Sequence, residues 1–254
     1  KLIGVRDPLG LKPLCLGKRG DSYILASESC ALTAVDAEFV RDILPGEIVT
    51  ITENGIKSDS RLIEESKAAQ IPHAHCIFEY IYFARLDSTM DNVNIYDARI
   101  RAGKALAASY PVEADLVTGV PDSGLAAAMG YAQACGLPFA LAFHKNSYVG
   151  RTFIKPTQKE RESAVHLKLS VLSSVVKGKR LVLIDDSIVR GTTMASLIRM
   201  LKDAGATEVH VRISSPPFLF PCYYGTDVPS NDQLIASSHT CLLYTSPSPR
   251  DPKT

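Results

Sequence analysis

Two different alternations of apolar and polar positions divide the chain. Up to about residue 62, short apolar runs are separated by turn residues. Leu14-Cys15-Leu16 and Tyr23-Ile24-Leu25-Ala26 flank a Lys18-Arg19-Gly20-Asp21 turn, and Glu47 to Thr52 runs into Asn54-Gly55, the strongest short hairpin signal. This predicts antiparallel β structure with too little chain to close a domain alone. From about residue 73 the pattern becomes strand, loop, helix. Ala114 to Val120 reads as a buried strand, Leu125 to Ala134 as a helix ending at Gly136, and Phe139 to Ala142 as a second strand. Arg180 to Ile184 is a third strand, Met194 to Ala204 a helix stopped by Gly205, and Glu208 to Ile213 a closing strand. Apolar runs alternating with helices predict an α/β fold, a parallel sheet with helices on both faces. Ligands of such sheets sit at the carboxyl ends of the strands, which directs attention to the loops after Val120 and Ile184.

Composition narrows the classes. With 46% hydrophobic and 22% charged residues among 254, the chain is too apolar for disorder. Lys and Arg number 28 against 27 Asp and Glu, so bulk charge does not recruit nucleic acid or an anionic membrane. A local cluster around a small anion remains open. No apolar run approaches the roughly 18 residues needed to span a bilayer. The six cysteines show no C-x-x-C pair, which favours a reducing cytoplasm over a disulfide framework. The chain opens at Lys1 in mid-strand without a signal peptide, and is expected to lack its true N-terminus. Residues 241–254 hold three prolines and no hydrophobic period, and are expected to be disordered and non-native.

The sharpest motif spans Leu181 to Thr193. A buried strand ends in Asp185 and Asp186, and a small-residue loop of Ser187, Ile188, Val189, Arg190, Gly191, Thr192 and Thr193 enters a helix. Gly191 lets backbone N–H groups approach an anion, the threonines add hydroxyls, and the helix start adds partial positive charge. The two carboxylates repel a phosphate, so they fit the vicinal hydroxyls of a sugar with Mg²⁺ nearby. The bland alternative makes them the start of a turn, one serving as N-cap. Neither a Walker A loop nor a G-x-G-x-x-G is present.

Other stretches admit two readings. Pro121-Asp122-Ser123-Gly124 is first of all a turn and helix cap. Residues 145 to 158 carry three cations and Gly150, which suits either a solvated loop or a lid. His144, His166, His210 and His239 lack metal-ligand spacing. Cys15, Cys30 and Cys135 sit in apolar surroundings and read as core thiols, and Cys76 and Cys222 by themselves read as buried thiols too.

The Asp185-Asp186 block resembles the phosphoribosylpyrophosphate signature of type I phosphoribosyltransferases, and its wording is most similar to the amidophosphoribosyltransferases. Arg6 to Leu14, Ala26 to Ser29, Phe78 to Arg85, Gly119 to Ser123 and Tyr148 to Ile154 resemble further blocks of that family, in order, so that the resemblance covers residues 1 to 240. It implies a β-rich remnant of an N-terminal-nucleophile glutaminase over 1–72 and a phosphoribosyltransferase domain over 73–240. It implies transfer of glutamine-derived ammonia to C1 of phosphoribosylpyrophosphate, giving phosphoribosylamine, the first step of purine synthesis. In this fragment the activity would be absent or dependent on free ammonia. Asp185, Asp186, Ser187, Arg190, Gly191, Thr192 and Thr193 would bind substrate. Ser123, Asp185 and Asp186 would attend Mg²⁺, and Lys145 and Arg151 would be the catalytic cations of a flap. Ser147 stands where the family often has a base, which would weaken one flap contact. Cys76 and Cys222 fall at two of the four ligand positions of the [4Fe–4S] cluster that one branch carries. Purine nucleotides as feedback inhibitors and a homo-oligomer when full length are also implied. Two rivals share the acidic loop: a transferase acting on a nucleobase, and a non-catalytic phosphoribosylpyrophosphate sensor.

Overall fold

A computed structural model describes residues 1–148, 168–226, 228 and 230–238. Arg151, His166, His239, Cys241 and the 241–254 tail lie outside the described residues. The chain divides into two compact units, Lys1–Ala98 and Arg99 onward.

The first unit holds two small antiparallel sheets. One has the order β1-β5-β6, from β1 (Leu2–Val5), β5 (Ile48–Thr52) and β6 (Gly55–Asp59). The other has the order β3-β2-β4, from β2 (Cys15–Arg19), β3 (Ser22–Ala26) and β4 (Glu38–Asp42). Both predicted hairpins form. In the second, Thr52 pairs with Gly55, and the Thr52 hydroxyl accepts the Asn54 N–H at 3.2 Å. Leu16, Ile43, Val49 and Ile51 make the core. Two helices that the alternation of apolar residues does not announce complete the region: α1 (Ser29–Thr33) and the amphipathic α2 (Arg61–Ala68). A π-helical turn spans Glu79–Phe83, and β7 (Thr89–Met90) pairs with β8 (Val93–Asn94) before α3 (Ile95–Ser109). Residues 73–98 are tied to the first unit. Ala74 N–H donates to the Leu9 carbonyl at 2.7 Å, and Arg6 forks onto Asp91 at 2.7 and 2.8 Å. The compact division therefore falls at Ala98, within α3, whereas the change of sequence pattern falls near residue 72.

The second unit is built on a parallel sheet of order β13-β12-β9, from β9 (Leu116–Gly119), β12 (Arg180–Asp185) and β13 (Glu208–Ile213). The alternation of β12 sends Leu181 and Leu183 into one core with Leu197 and Leu201 of α6 (Thr192–Asp203). Val182 and Ile184 enter the opposite core with Ala127, Ala128 and Tyr131 of α4 (Gly124–Cys135). All four β12 side chains are fully buried, worth roughly 1.5–3 kcal/mol each in transfer free energy. Helices thus cover both faces, as the apolar run requires. Between α4 and β12 lie β10 (Phe143–Lys145), β11 (Leu169–Val171) and the short α5 (Ser173–Val176); α7 (Ile235–Ser238) follows β13.

Two expectations need correction. Phe139 to Ala142 is no full strand: a single parallel bridge joins Phe139 to Val117, and Leu141 stays 47% exposed. The chain leaves the sheet at once to pair β10 antiparallel with β11. Cys135 is exposed, because it occupies the last turn of α4 just before the left-handed Gly136. Cys15 and Cys30 are buried as expected, and burial pushes the Cys15 thiol up to about 11.

Candidate functional site

The carboxyl ends of β9 and β12 lie side by side, since Ile184 pairs with Gly119 in parallel register. Val120 N–H donates to the Ile184 carbonyl at 2.9 Å, which holds the loop after β9 against the acidic end of β12. At Gly124, a Cβ would lie 2.6 Å from the Ile184 carbonyl oxygen, so only glycine lets α4 begin so close to that strand end. The Pro121–Asp122 peptide between them is cis.

Ser123 combines a turn position with a contact across the site. It stands at the N-cap of α4 but makes no side-chain cap hydrogen bond. Its hydroxyl donates instead to Asp186 Oδ2. Ser187 donates to Asp186 Oδ1, and the Asp186 N–H reaches Asp185 Oδ1 at 2.9 Å. Neither aspartate caps α6: the N-cap is Gly191, at φ +78, with no side-chain cap. A side chain at that φ would be strained, so glycine fits the sharp entry into the helix. The backbone carbonyls of Asp185 and Asp186 are tied by the N–H groups of Ser214 and Ser215 at 3.0 and 2.9 Å.

The acidic pair is electrostatically costly as it stands. Burial pushes the Asp185 carboxyl well up from the ordinary range, and the neighbouring Asp186 charge adds to this. Burial raises Asp186 as well, while the Ser123 and Ser187 hydroxyls and the Arg99 charge pull it back. Two oxygen-bearing side chains with adjacent hydroxyls form a hard donor set, and an added cation would relieve their repulsion. The residues present fit Mg²⁺ on that ground. Among the described residues, no three His, Cys, Asp or Glu side chains converge as a metal-binding group.

Of the other sequence candidates, Lys145 is brought to the same corner, its ammonium paired with Asp122 in the turn before Ser123. Thr192 and Thr193 are exposed at the α6 start. Arg190 is turned to Gln233, with Nε 3.1 Å from Oε1. Cys76 and Cys222 are partly exposed rather than buried. Cys222 Sγ accepts the N–H groups of Tyr224 and Thr226, each at 3.4 Å. Asp122 and Arg99 escaped the sequence reading. Asp122 lay inside a noticed motif, but a lone arginine in a helix rich in charge carries no signal of its own.

A phosphoribosyl transferase domain family matches residues 89–214. Amidophosphoribosyltransferase of Archaeoglobus fulgidus is 53% identical over 239 residues, covering 94% of this chain and 51% of that protein. The enzyme of the same name from Bacillus subtilis is 51% identical over 240 residues, covering 94% and 49%. The chain belongs to the amidophosphoribosyltransferase family. The solved structure of glutamine phosphoribosylpyrophosphate amidotransferase from B. subtilis, complexed with ADP and GMP, superposes with a TM-score of 0.82 at 51% identity, over 94% of this chain and 51% of that one. The type I phosphoribosyltransferase fold expected from the sequence is thereby shown. The chain spans about half the length of the curated family members it matches.

Proposed function

We propose that this chain binds phosphoribosylpyrophosphate at the carboxyl ends of β9 and β12 and serves transfer of ammonia to its C1. The observation that carries the reading is the Ser123 hydroxyl on Asp186, which unites two sequence-distant loops in one oxygen-lined corner beside the Gly191 helix start. Ser187, Arg190, Gly191, Thr192 and Thr193 would take the terminal 5-phosphate, with backbone N–H groups and the α6 dipole supplying the positive end. Asp185 and Asp186 would accept from the ribose hydroxyls. Ser123, Asp185 and Asp186 would hold Mg²⁺, which when bound neutralises charge on the departing pyrophosphate.

In the reaction, ammonia forms the C1–N bond as the C1–O bond to pyrophosphate breaks, and the electron pair leaves with pyrophosphate. Positive charge gathers on the sugar and negative charge on the leaving group. Lys145, together with Arg151, would stabilise the latter; its present partner Asp122 keeps the ammonium at the corner until the substrate arrives. Ammonia attacks through its own lone pair, so no protein base is required for the attack, and the ammonium formed on C1 gives its extra proton to water. Ammonia would derive from glutamine through a glutaminase half, of which the first unit would be a part. Purine nucleotides would act as feedback inhibitors; the B. subtilis structure carrying ADP and GMP supports this. Further parts of the reading are a homo-oligomer and a cytoplasmic site of action. No helix among the described residues is long and apolar enough to cross a membrane.

Calorimetry with Mg²⁺ and phosphoribosylpyrophosphate tests the site. Asp185→Asn combined with Asp186→Asn weakens binding at least tenfold, the scale of lost metal-site contacts; unchanged affinity refutes the assignment.

We also propose Cys76 and Cys222 as two ligands of a [4Fe–4S] cluster. Backbone N–H groups directed at Cys222 Sγ are what a thiolate needs, and they support that reading. A cluster takes four thiolates, so two ligands come from elsewhere. In a protein of the relatives' full length, Cys222→Ser abolishes bound iron; iron retained at wild-type stoichiometry rejects the ligand.

A further inference from the structure

The matched phosphoribosyl transferase domain ends at residue 214, yet the chain returns beyond it to the loop between β12 and α6. One 3₁₀ turn, Asn231–Gln233, and α7 together form a short clip. Ser237 closes the clip on itself, its hydroxyl 2.8 and 2.7 Å from the carbonyl oxygens of Asn231 and Leu234. Leu234 is buried, and Ile235 packs against the core that holds Ile188 and Met194. This apolar burial anchors the clip. Three contacts then join it to successive residues of the loop. The Ile235 N–H donates to the Val189 carbonyl at 2.9 Å. Gln233 Oε1 accepts from Arg190 Nε at 3.1 Å and from Arg190 Nη2 as well. A Cβ on Gly191 would stand 3.0 Å from Ile235 Cδ1, so the clip also closes over that glycine. Val189, Arg190 and Gly191 are thus each held from outside the loop, immediately before α6 begins.

We propose that Gln233 is a positioning residue for the substrate's terminal 5-phosphate, acting through Arg190. The proposal rests on the phosphoribosylpyrophosphate reading of this loop and adds a segment from beyond the matched domain. Arg190 is exposed. A long side chain left free at such a place samples many rotamers, and binding an anion would have to freeze them out. A guanidinium is planar and carries its N–H donors in a rigid fork. With Nε and Nη2 both on one amide oxygen, its plane is set before any ligand arrives, and Gln233 takes none of the donors on Nη1. Those donors suit a phosphate oxygen. The bond from Ile235 to the Val189 carbonyl keeps the loop backbone from shifting with the side chain, so loop and guanidinium are fixed together. Gln233 touches no reacting atom, and its effect is confined to the phosphate end of the substrate.

The experiment is calorimetric affinity for two probes, Mg²⁺–phosphoribosylpyrophosphate and Mg²⁺–pyrophosphate, which lacks the 5-phosphate, with thermal melting on every variant. Gln233→Leu weakens phosphoribosylpyrophosphate roughly tenfold, the scale of one lost hydrogen bond to a charged group, and leaves pyrophosphate unchanged. Gln233→Glu, which keeps an acceptor oxygen for Arg190, recovers most of the loss. In an Arg190→Met background, Gln233→Leu makes almost no further difference, because its target is gone. Wild-type affinity in Gln233→Leu, equal losses in the two backgrounds, or a matching loss of pyrophosphate overturns the proposal. If Gln233→Leu does not fold, Gln233→Ala takes the same readings, and unfolding of both assigns Gln233 to the fold and overturns its role at the phosphate. Intact phosphoribosylpyrophosphate binding in the Asp185→Asn, Asp186→Asn protein instead refutes the site itself. Loss there, with Gln233→Leu at wild-type affinity, refutes only the role of Gln233.

Discussion

Buried carboxylates are treated in opposite ways in the two units. In the first unit, Glu47 is almost wholly enclosed and takes a bidentate fork from Arg41 at 2.7 and 2.8 Å, with the Ser58 hydroxyl and the Leu44 N–H as further donors. Burial pushes its carboxyl up, but these donors outweigh that and hold it at about 2. Asp91 is handled alike: burial raises it, and the hydrogen bonds and charge of Arg6 bring it below the ordinary range. At the end of β12 the balance is reversed. Burial raises both Asp185 and Asp186, and Asp185 has a second carboxylate as its neighbour besides. Carboxylates that serve the fold come with their cations already in place. A pair left in mutual repulsion at a strand end suits a cation that arrives with a ligand.

The contrast breaks if removing the paired groups proves harmless. Arg6→Met strips Asp91 of its fork and frees the Ile43 and Lys12 carbonyls, which Arg6 holds at 2.7 and 3.0 Å. Removing the main partner of a largely buried charge costs roughly 3–5 kcal/mol, read from urea unfolding. A loss under about 1 kcal/mol would show that the fork is incidental.

Acid titration of stability sharpens the same point. Glu47 is lowered from 4.5 to about 2, so its contribution is complete above pH 4.5 and is lost as pH falls toward about 2. The amount is on the order of 2–3 kcal/mol. Glu47→Gln flattens that acid limb, and an unaltered limb contradicts the assignment. A smaller effect comes from the α3–α4 seam. Gly103→Ala forces a methyl onto the Ala127 carbonyl and costs roughly 1–3 kcal/mol by overpacking; a melting temperature equal to wild type would mean that the helices part freely. Smallest is the change in stability from Asp185→Asn with Asp186→Asn. Relief of like-charge repulsion leaves unfolding free energy unchanged or slightly raised while ligand affinity falls. A large destabilisation would make the pair structural and erase the contrast between the units.

The elements that the sequence announced are those whose signals are local. Both hairpins, β9, β12, β13 and the helices α4 and α6 followed from apolar runs, an Asn-Gly turn and glycine stops, because strand and helix periods are written within a few residues. Likewise, the Asp185-Asp186 loop and the 121–124 turn were legible as motifs, each with a bland alternative attached. Packing set the hydrogen-bond partners of these side chains. Ser123 and the two aspartates were free to cap helices, yet the parallel register of β9 and β12 set Ser123 beside Asp186, 63 positions away. The partial loss of the Phe139 to Ala142 strand has a similar cause: four apolar residues satisfy a strand pattern, but the chain is pulled away to pair β10 with β11.

By itself, then, the sequence determined the α/β class, the parallel sheet, the family and most of the loop that would meet substrate. Tertiary structure alone decided which carboxylates are paired and which are left raised, and where Lys145 rests. Charge and burial at a point depend on side chains that converge from distant segments, and no local period encodes that convergence.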